Sequence, residues 1–169
     1  IGLAIGEPPV ARGYTPSIYA EFPKLLERSG KFERGSITGI YTVLVEGDDT
    51  NEPIADTVRG ILDGHIVLSR KLASENHFPA IDVNASISRL MVNIVGNEHK
   101  DLGSRLRDIL SIYAKNEDLI SIGAYKPGTN PKLDYAISKI DRVNEFLKQE
   151  IGESFSVEEA VLKMKQILA

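Results

Sequence analysis

The sequence predicts an α/β region followed by a small all-α region. Up to about residue 96, short runs rich in β-branched residues alternate with segments of helical spacing, which is the pattern of βαβ units. After about residue 97 the β-branched runs stop, and apolar residues recur with the 3.6-residue period of amphipathic helices. The 169 residues are 42% hydrophobic and 26% charged, as in an ordinary folded chain. We therefore predict two domains, residues 1–96 and 97–169.

A proline-rich loop and one helix are predicted before residue 36. Residues 7–16 contain three prolines and one glycine, and proline withholds the amide hydrogen that a helix requires. From Ser17 to Arg28 the apolar residues have helical spacing. Pro23 is expected either as a kink in this helix or as the boundary between two short helices.

Residues 36–83 are predicted to alternate between strand and helix. Residues 36–45 are β-rich and become apolar at successive positions, as in a strand covered on both faces, which favours a parallel sheet. Pro53 is well placed for the first turn of a helix that runs to Leu62. A strand at 65–68, a short helix near 70–74 and an extended segment around 80–83 complete the pattern.

Three amphipathic helices are predicted in the second region. Their apolar faces lie within residues 102–113, 133–147 and 157–168, and turn-forming residues separate the first two. Ser156, followed by Glu158 and Glu159, has the composition of a capped helix start. This region is predicted to be a small helical bundle.

Composition excludes several classes of function. The formal net charge of −4 argues against a nucleic-acid-binding protein that works by neutralising phosphates. Cysteine is absent, which excludes a disulfide framework and a thiolate metal site and favours a reducing, cytoplasmic environment. No apolar run approaches the roughly 20 residues that span a bilayer. Because the chain begins with Ile1 and not with Met, we expect it to be a fragment of a longer protein.

Polar candidates for a metal or phosphate site are few. The three histidines lack metal-ligand spacing and are expected to be surface or core side chains: His65, His77 and His99. The carboxylates Glu46, Asp48 and Asp49 follow a strand-like run, either as Mg²⁺ ligands or as a solvated turn. A P-loop requires G-x-x-x-x-G-K-[ST], which no stretch of the sequence matches. The chain by itself is therefore not a complete P-loop enzyme, and no metal ligand is assigned.

Two further residues have a functional and a structural interpretation each. Arg89 follows an extended, serine-rich segment, where its guanidinium is suited either to a phosphate or to a structural ion pair. Phe78 precedes Pro79, which restricts it to extended geometry, and its ring is suited either to stacking on a base or to core packing. Spacing alone does not decide between these alternatives.

Taken together, several segments spread over most of the chain resemble one family: 6–17, 23–30, 35–38, 43–49, 51–56, 63–70, 78–82, 86–89 and 122–125. This family is the hexameric export ATPases of bacterial flagella and type III secretion systems, which are relatives of the rotary ATP synthase α and β subunits. The resemblance implies the C-terminal portion of a RecA-like P-loop ATPase domain, lacking the P-loop, followed by a small all-α C-terminal domain. It also implies that the P-loop, the catalytic glutamate and the Mg²⁺-associated aspartate precede Ile1, so Glu46 is not a ligand and the fragment alone is inactive.

The resemblance assigns roles to individual residues. Arg89 stands where the family places an arginine finger that acts in trans on the nucleotide of the neighbouring subunit. Phe78 stands where an aromatic residue, usually tyrosine, packs on the adenine of the subunit's own nucleotide. Asn84 replaces an apolar residue, which puts the packing near Arg89 in doubt. Arg12 and Tyr14 lie in a segment that resembles the loop near the central pore, where they are pore-loop candidates or structural residues.

The function implied by the resemblance is protein export driven by ATP. The expected cofactors are ATP and Mg²⁺, and the expected partners are five further copies in a homo-hexamer, export chaperones and cargo, and the stalk and regulator proteins of the apparatus. Binding to nucleic acid is not expected, and the location is the cytoplasm, peripheral to the export gate of the inner membrane. The flagellar branch is favoured over the injectisome. The alternatives are a rotary F-type or V-type ATPase subunit, or a non-enzymatic truncated module that binds export chaperones.

Overall fold

The computed structural model describes residues 1–49 and 51–169, apart from the side chains of Ala11 and Asp48. The chain folds as two compact units, Ile1–His65 and Ile66–Ala169. The boundary that we predict between residues 96 and 97 rests on the change in sequence character and stays a prediction. Among the described residues, no helix is long and apolar enough to cross a bilayer.

The first unit contains two helices, a small hairpin and several 3₁₀ turns. Helix α1 spans Pro16–Leu26 and packs against helix α2, Pro53–Ile61, which begins at Pro53 as predicted. The buried apolar residues of the first unit are Leu26, Ala55 and Val58. The 3₁₀ turns are formed by Leu3–Ile5, Ala11–Gly13 and Glu46–Asp48.

Pro23 lies inside α1 and does not divide it. The proline has no amide hydrogen to donate to the carbonyl of Tyr19, yet the helix continues to Leu26, and Glu27 donates its backbone N–H to the Pro23 carbonyl at 2.9 Å. The predicted boundary between two short helices is therefore wrong, and one continuous helix forms.

The predicted strand at residues 36–45 is also wrong over most of its length. Only Ser36–Ile37 forms a strand, β2, and it pairs antiparallel with β1, Gly30–Lys31, not in a parallel sheet. Residues 38–45 have no regular structure, and the side chains of Ile40 and Leu44 are 92% and 88% exposed. A strand requires a neighbour for its backbone hydrogen bonds, and β1 offers only two residues.

The second unit begins with the alternating elements that the sequence predicts. Strand β3, Gly64–Leu68, whose first two residues end the first unit, pairs with β4, Ile81–Ser88, and the short helix α3, Arg70–Ser74, connects them. Strand β4 extends five residues beyond the predicted segment that ends at Val83. Helix α4, Met91–Ile94, follows β4 after a two-residue bend.

The predicted bundle of three helices is confirmed. Its helices are α5, Asn97–Ser121, α6, Pro131–Leu147, and α7, Val157–Leu168. They share one core that consists of Leu102, Leu106, Ile109, Ala136, Ile140, Val143, Met164 and Leu168. Val83 of β4 packs against this core, so the bundle supports the strand that leads to Arg89.

The predicted cap of α7 is present as a full capping box. Glu159 donates its backbone N–H to Ser156 Oγ at 3.1 Å, and Ser156 donates its own N–H to Glu159 Oε2 at 2.8 Å. The hydrogen bonds from the backbone and the side chain of Ser156 lower the pKa of Glu159.

Candidate functional site

Arg89 occupies the bend between β4 and α4, and it is exposed. Ser86, which is buried, fixes the strand before it. Its hydroxyl donates to the carbonyl oxygen of Asp82 at 2.5 Å and accepts the N–H of Val67 at 3.0 Å. On the other side of Arg89, the N–H of Met91 donates to Ser88 Oγ at 3.3 Å. The backbone is therefore held on both sides of Arg89.

Asn84, the departure from the family pattern, lies exposed in β4. An apolar residue is not needed at an exposed position, so the polar side chain costs no buried packing there.

Phe78 precedes β4, and its ring is 52% exposed. The peptide bond to Pro79 is cis. The carbonyl oxygen of Phe78 accepts the N–H of Gln149 at 2.9 Å, so the segment just after α6 fixes this residue. Phe78 is therefore not packed in the core of this chain, and its role as an adenine-stacking residue stays a prediction.

An open pocket of about 290 Å³ lies beside the Phe78 ring. Its walls are Phe78, Pro79, Gln149, Glu150, Ile151 and Glu153. Sequence reasoning missed residues 149–153, because they are about 70 positions away along the chain and carry no motif of their own. The hydrogen bond between Gln149 and Phe78 brings the two segments together.

His77, immediately before Phe78, is buried. Its backbone N–H donates to the carbonyl oxygen of Leu72 at 2.9 Å. Burial lowers the pKa of His77, and the positive charge of Lys148 lowers it further, while Glu75 acts in the opposite direction. His77 is therefore one of the core side chains that the sequence allows, and its lowered pKa favours the neutral ring.

Arg12 and Tyr14 are both bound to the acidic segment that precedes α2. Arg12, whose backbone is left-handed with φ of 52°, forms an ion pair through its guanidinium with the carboxylate of Asp49. Tyr14 donates its hydroxyl to Oε1 of the buried Glu52 at 3.2 Å, and this hydrogen bond raises the pKa of Tyr14. Asp49 is thus a partner of the proline-rich loop, and the side chain of Asp48 lies outside the described residues.

The base of the proline-rich loop is fixed by Glu7. Its carboxylate accepts the N–H of Ser17 at 2.7 Å and the hydroxyl of Ser17 at 2.6 Å, and the hydroxyl hydrogen bond lowers the pKa of Glu7. The loop is therefore tied to the start of α1 at one end and to Asp49 and Glu52 further along.

The structure places Phe78 and Arg89 at opposite ends of one strand. Phe78 lies three residues before the first residue of β4, and Arg89 lies directly after its last. The strand between them is not straight, because the Ser86 hydroxyl reaches the carbonyl oxygen of Asp82, four residues earlier, at 2.5 Å. The eight residues of β4 stand between Phe78 and Arg89 along the chain. Among the described residues, no group of three or more acidic or histidine side chains is arranged to hold a metal ion.

Comparison with known proteins matches both regions of the chain. The sequence model of the ATP synthase alpha/beta family, nucleotide-binding domain, matches residues 1–88. This chain belongs to that family. The model of the T3SS EscN ATPase C-terminal domain matches residues 95–166.

Relatives of the chain carry the names flagellum-specific ATP synthase and type 3 secretion system ATPase. The flagellum-specific ATP synthase of Bacillus subtilis is 54% identical over 167 residues, which are 99% of this chain and 38% of that protein. The type 3 secretion system ATPase of Sinorhizobium fredii is 54% identical over 99% of this chain and 37% of that protein. The chain thus spans less than half the length of the relatives it matches.

Solved structures of the ATPase EscN from the type III secretion system of enteropathogenic E. coli have the same fold. The assembled EscN superimposes with a TM-score of 0.94 at 46% identity, over 99% of this chain and 41% of that one. EscN in complex with its central stalk EscO superimposes with a TM-score of 0.86 at 45% identity, over 99% of this chain and 40% of that one. These comparisons confirm the predicted fold class and family, and they favour the export branch over the rotary subunits.

Proposed function

We propose that residues 1–169 form part of a protein-export ATPase, of flagellar or type III secretion type, and supply residues to two different ATP sites of its ring. The observation that supports this most directly is the placement of Phe78 and Arg89 at opposite ends of β4, with the eight residues of the strand between them. Phe78 serves the nucleotide of its own subunit, and Arg89 serves the nucleotide of the neighbour. Names of relatives at 54% identity and the assembled state of EscN support a ring of copies.

Arg89 contributes the transition-state charge stabilisation. An arginine is permanently protonated and presents a rigid fork of donors, which suits the oxygens of a transferring γ-phosphoryl group. Its exposure at the end of an anchored strand allows it to reach a phosphate outside its own subunit. No proton needs to be transferred to or from the guanidinium during hydrolysis.

Phe78 contributes adenine binding. The pocket beside its half-exposed ring has an aromatic face, the apolar side chains of Pro79 and Ile151, and polar groups at its edge, which fits a flat purine. When ATP and Mg²⁺ are bound, the ion neutralises charge on the β- and γ-phosphates. We assign no Mg²⁺ ligand within residues 1–169 and expect those ligands, with the P-loop, from another part of the protein.

We assign the binding of partner proteins to the proline-rich loop and to the helical region. Arg12 and Tyr14 shape the loop through Asp49 and Glu52, and the loop faces the central pore, where a stalk or a cargo protein passes. The complex of EscN with EscO supports a stalk partner. We place export chaperones on the region 97–169 and the assembled protein in the cytoplasm, against the inner-membrane export gate.

The proposal is tested by replacing Arg89 with alanine in the full-length ATPase. Loss of an arginine finger lowers the hydrolysis rate by about 10³ to 10⁵. Lys132→Ala, which removes an exposed positive charge from α6, is the matched control and leaves the rate unchanged. A fall of less than tenfold in Arg89→Ala would overturn the assignment of Arg89 as an arginine finger, and an absence of ATP hydrolysis by the wild-type full-length protein would favour the non-enzymatic chaperone-binding module.

A further inference from the structure

Arg107, two residues before the middle of α5, contacts the strand that precedes Arg89. It is half-buried, and its Nη1 donates to the carbonyl oxygen of Ser86 at 3.1 Å. Ser86 lies near the end of β4, three residues before Arg89. The guanidinium of Arg107 thus fixes the peptide that leads to Arg89.

Ser86 joins three elements. Its hydroxyl links β4 to β3 through the N–H of Val67, at 3.0 Å, and its carbonyl links β4 to α5 through Arg107. The residue is 8% exposed. A charge-assisted hydrogen bond to a carbonyl is among the stronger polar contacts, and the planar fork of arginine gives it a defined direction.

A second contact with α5 lies on the other side of Arg89. A Cβ placed on Gly103 would meet Cε of Met91 at 3.1 Å, so Met91 lies against α5 where the helix has no side chain. Gly103 and Arg107 are four residues apart and share one face of α5. This face therefore holds the chain at Ser86, before Arg89, and at Met91, after it.

We propose that Arg107 is a positioning residue for Arg89, through which the helical region sets the catalytic geometry at the neighbour's ATP site. The inference rests on the proposed function, because it needs Arg89 to contact phosphate. A misplacement of about 1 Å in a catalytic group can reduce the rate about 10²-fold. Motion of α5 would change the position of Ser86 and Met91 and hence that of Arg89, so a partner bound to the helical region has a direct route to the rate of hydrolysis.

The test is a double-mutant cycle in the full-length ATPase, read by single-turnover hydrolysis of radiolabelled ATP so that slow rates remain measurable. Arg107→Ala should lower kcat by about 10- to 100-fold and leave KM for ATP within about twofold, because Phe78 and the subunit's own nucleotide are untouched. In the Arg89→Ala background, Arg107→Ala should cause no further loss, because there is no guanidinium left to position. Arg107→Lys should restore part of kcat, and Arg142→Ala, on the exposed side of α6, should behave as wild type.

Other outcomes overturn the inference. An equal loss from Arg107→Ala in both backgrounds, or a rise in KM that accounts for the loss, would show a general structural role. An unchanged kcat in Arg107→Ala would show that Arg107 does not position Arg89. If Arg107→Ala fails to fold, Gly103→Ala is used in its place, since the added methyl would shift the Met91 side chain without removing a charge. The double-mutant cycle of Gly103→Ala with Arg89→Ala is expected to show the same pattern of losses. If Arg89→Ala itself leaves kcat unchanged, the proposed function fails; if only the Arg107 variants are silent, this inference alone fails.

Discussion

At the scale of single residues, His77 illustrates how the fold prepares the segment that carries Phe78. Burial and the charge of Lys148 lower its pKa, so the neutral imidazole is favoured next to Phe78 in the chain. A histidine with a lowered pKa in the folded state binds fewer protons than the unfolded chain does. Stability therefore rises with pH up to the unfolded value near 6.5 and falls as pH drops below it.

Replacing His77 with glutamine should remove this acid-dependent loss of stability. We expect the free energy of unfolding of wild type to decline between pH 6.5 and pH 5 more steeply than that of His77→Gln, as measured by urea denaturation at each pH. His99→Gln, on α5, is the matched control and should keep the wild-type slope. Equal slopes for wild type and His77→Gln would show that burial of this imidazole has no energetic consequence.

Phe78 should affect binding of ATP more than its hydrolysis. Loss of one ring stacked on a base costs about 1–3 kcal/mol, which corresponds to an increase in Kd of roughly 5- to 150-fold. We expect this increase for Phe78→Ala in the full-length ATPase, measured by titration with a fluorescent ATP analogue. Phe78→Tyr keeps the stacking face and should bind as wild type. Comparable affinities for the alanine and tyrosine variants would exclude stacking.

The sequence indicates both site residues but not their surroundings. The local pattern at Phe78 and Arg89 leaves a structural and a functional interpretation open, and the resemblance to the export ATPases assigns their roles. Gln149 and Arg107 are not recognisable, because each acts through one hydrogen bond to a backbone carbonyl of a distant segment. Any residue type presents such a carbonyl, so the sequence contains no signal for the pairing.

At the scale of elements, helices and strands differ in how well their sequence predicts them. The three helices of the bundle form as expected because a helix satisfies its backbone hydrogen bonds internally and needs only an apolar face to pack. The stretch 38–45 has equally strong β-propensity and forms no strand, because a strand depends on a neighbour elsewhere in the chain. Local pattern is therefore a sound guide to α5, α6 and α7 and a poor one to the second strand.

The capping box of α7 offers a test at this scale. Ser156→Ala removes the acceptor for the N–H of Glu159 and should destabilise the chain by about 1 kcal/mol. The measurement is chemical denaturation followed by the helical circular dichroism signal. Ser138→Ala is the matched control, because this exposed serine lies within α6 and its hydroxyl donates only to the Tyr135 carbonyl, at 2.7 Å. A loss in Ser138→Ala as large as that in Ser156→Ala would show that the cap is not the cause.

At the scale of the whole molecule, the proposed function depends on an ATP site that is shared between two copies of the chain. The strand β4 lies between Phe78 and Arg89, the two residues proposed to bind nucleotide, and the helical bundle supports it through Val83 and Arg107. The fold class and the family could be predicted from the sequence because the matching segments extend over both regions. The position of Arg89 just beyond the end of β4 could not be predicted from the sequence, since it depends on β4 continuing to Ser88 and not ending at Val83.

The most direct measurement is the ATPase activity of mixed rings. One full-length subunit carries Arg89→Ala; the other keeps Arg89 but has its own phosphate-binding site disabled. Each variant alone is expected to be inactive. If Arg89 acts on the neighbour's nucleotide, a random equal mixture places an intact site beside an intact arginine at about one quarter of interfaces, and activity should recover to about that fraction of wild type. If Arg89 acts only within its own subunit, the mixture stays as inactive as its components, which would contradict the shared site.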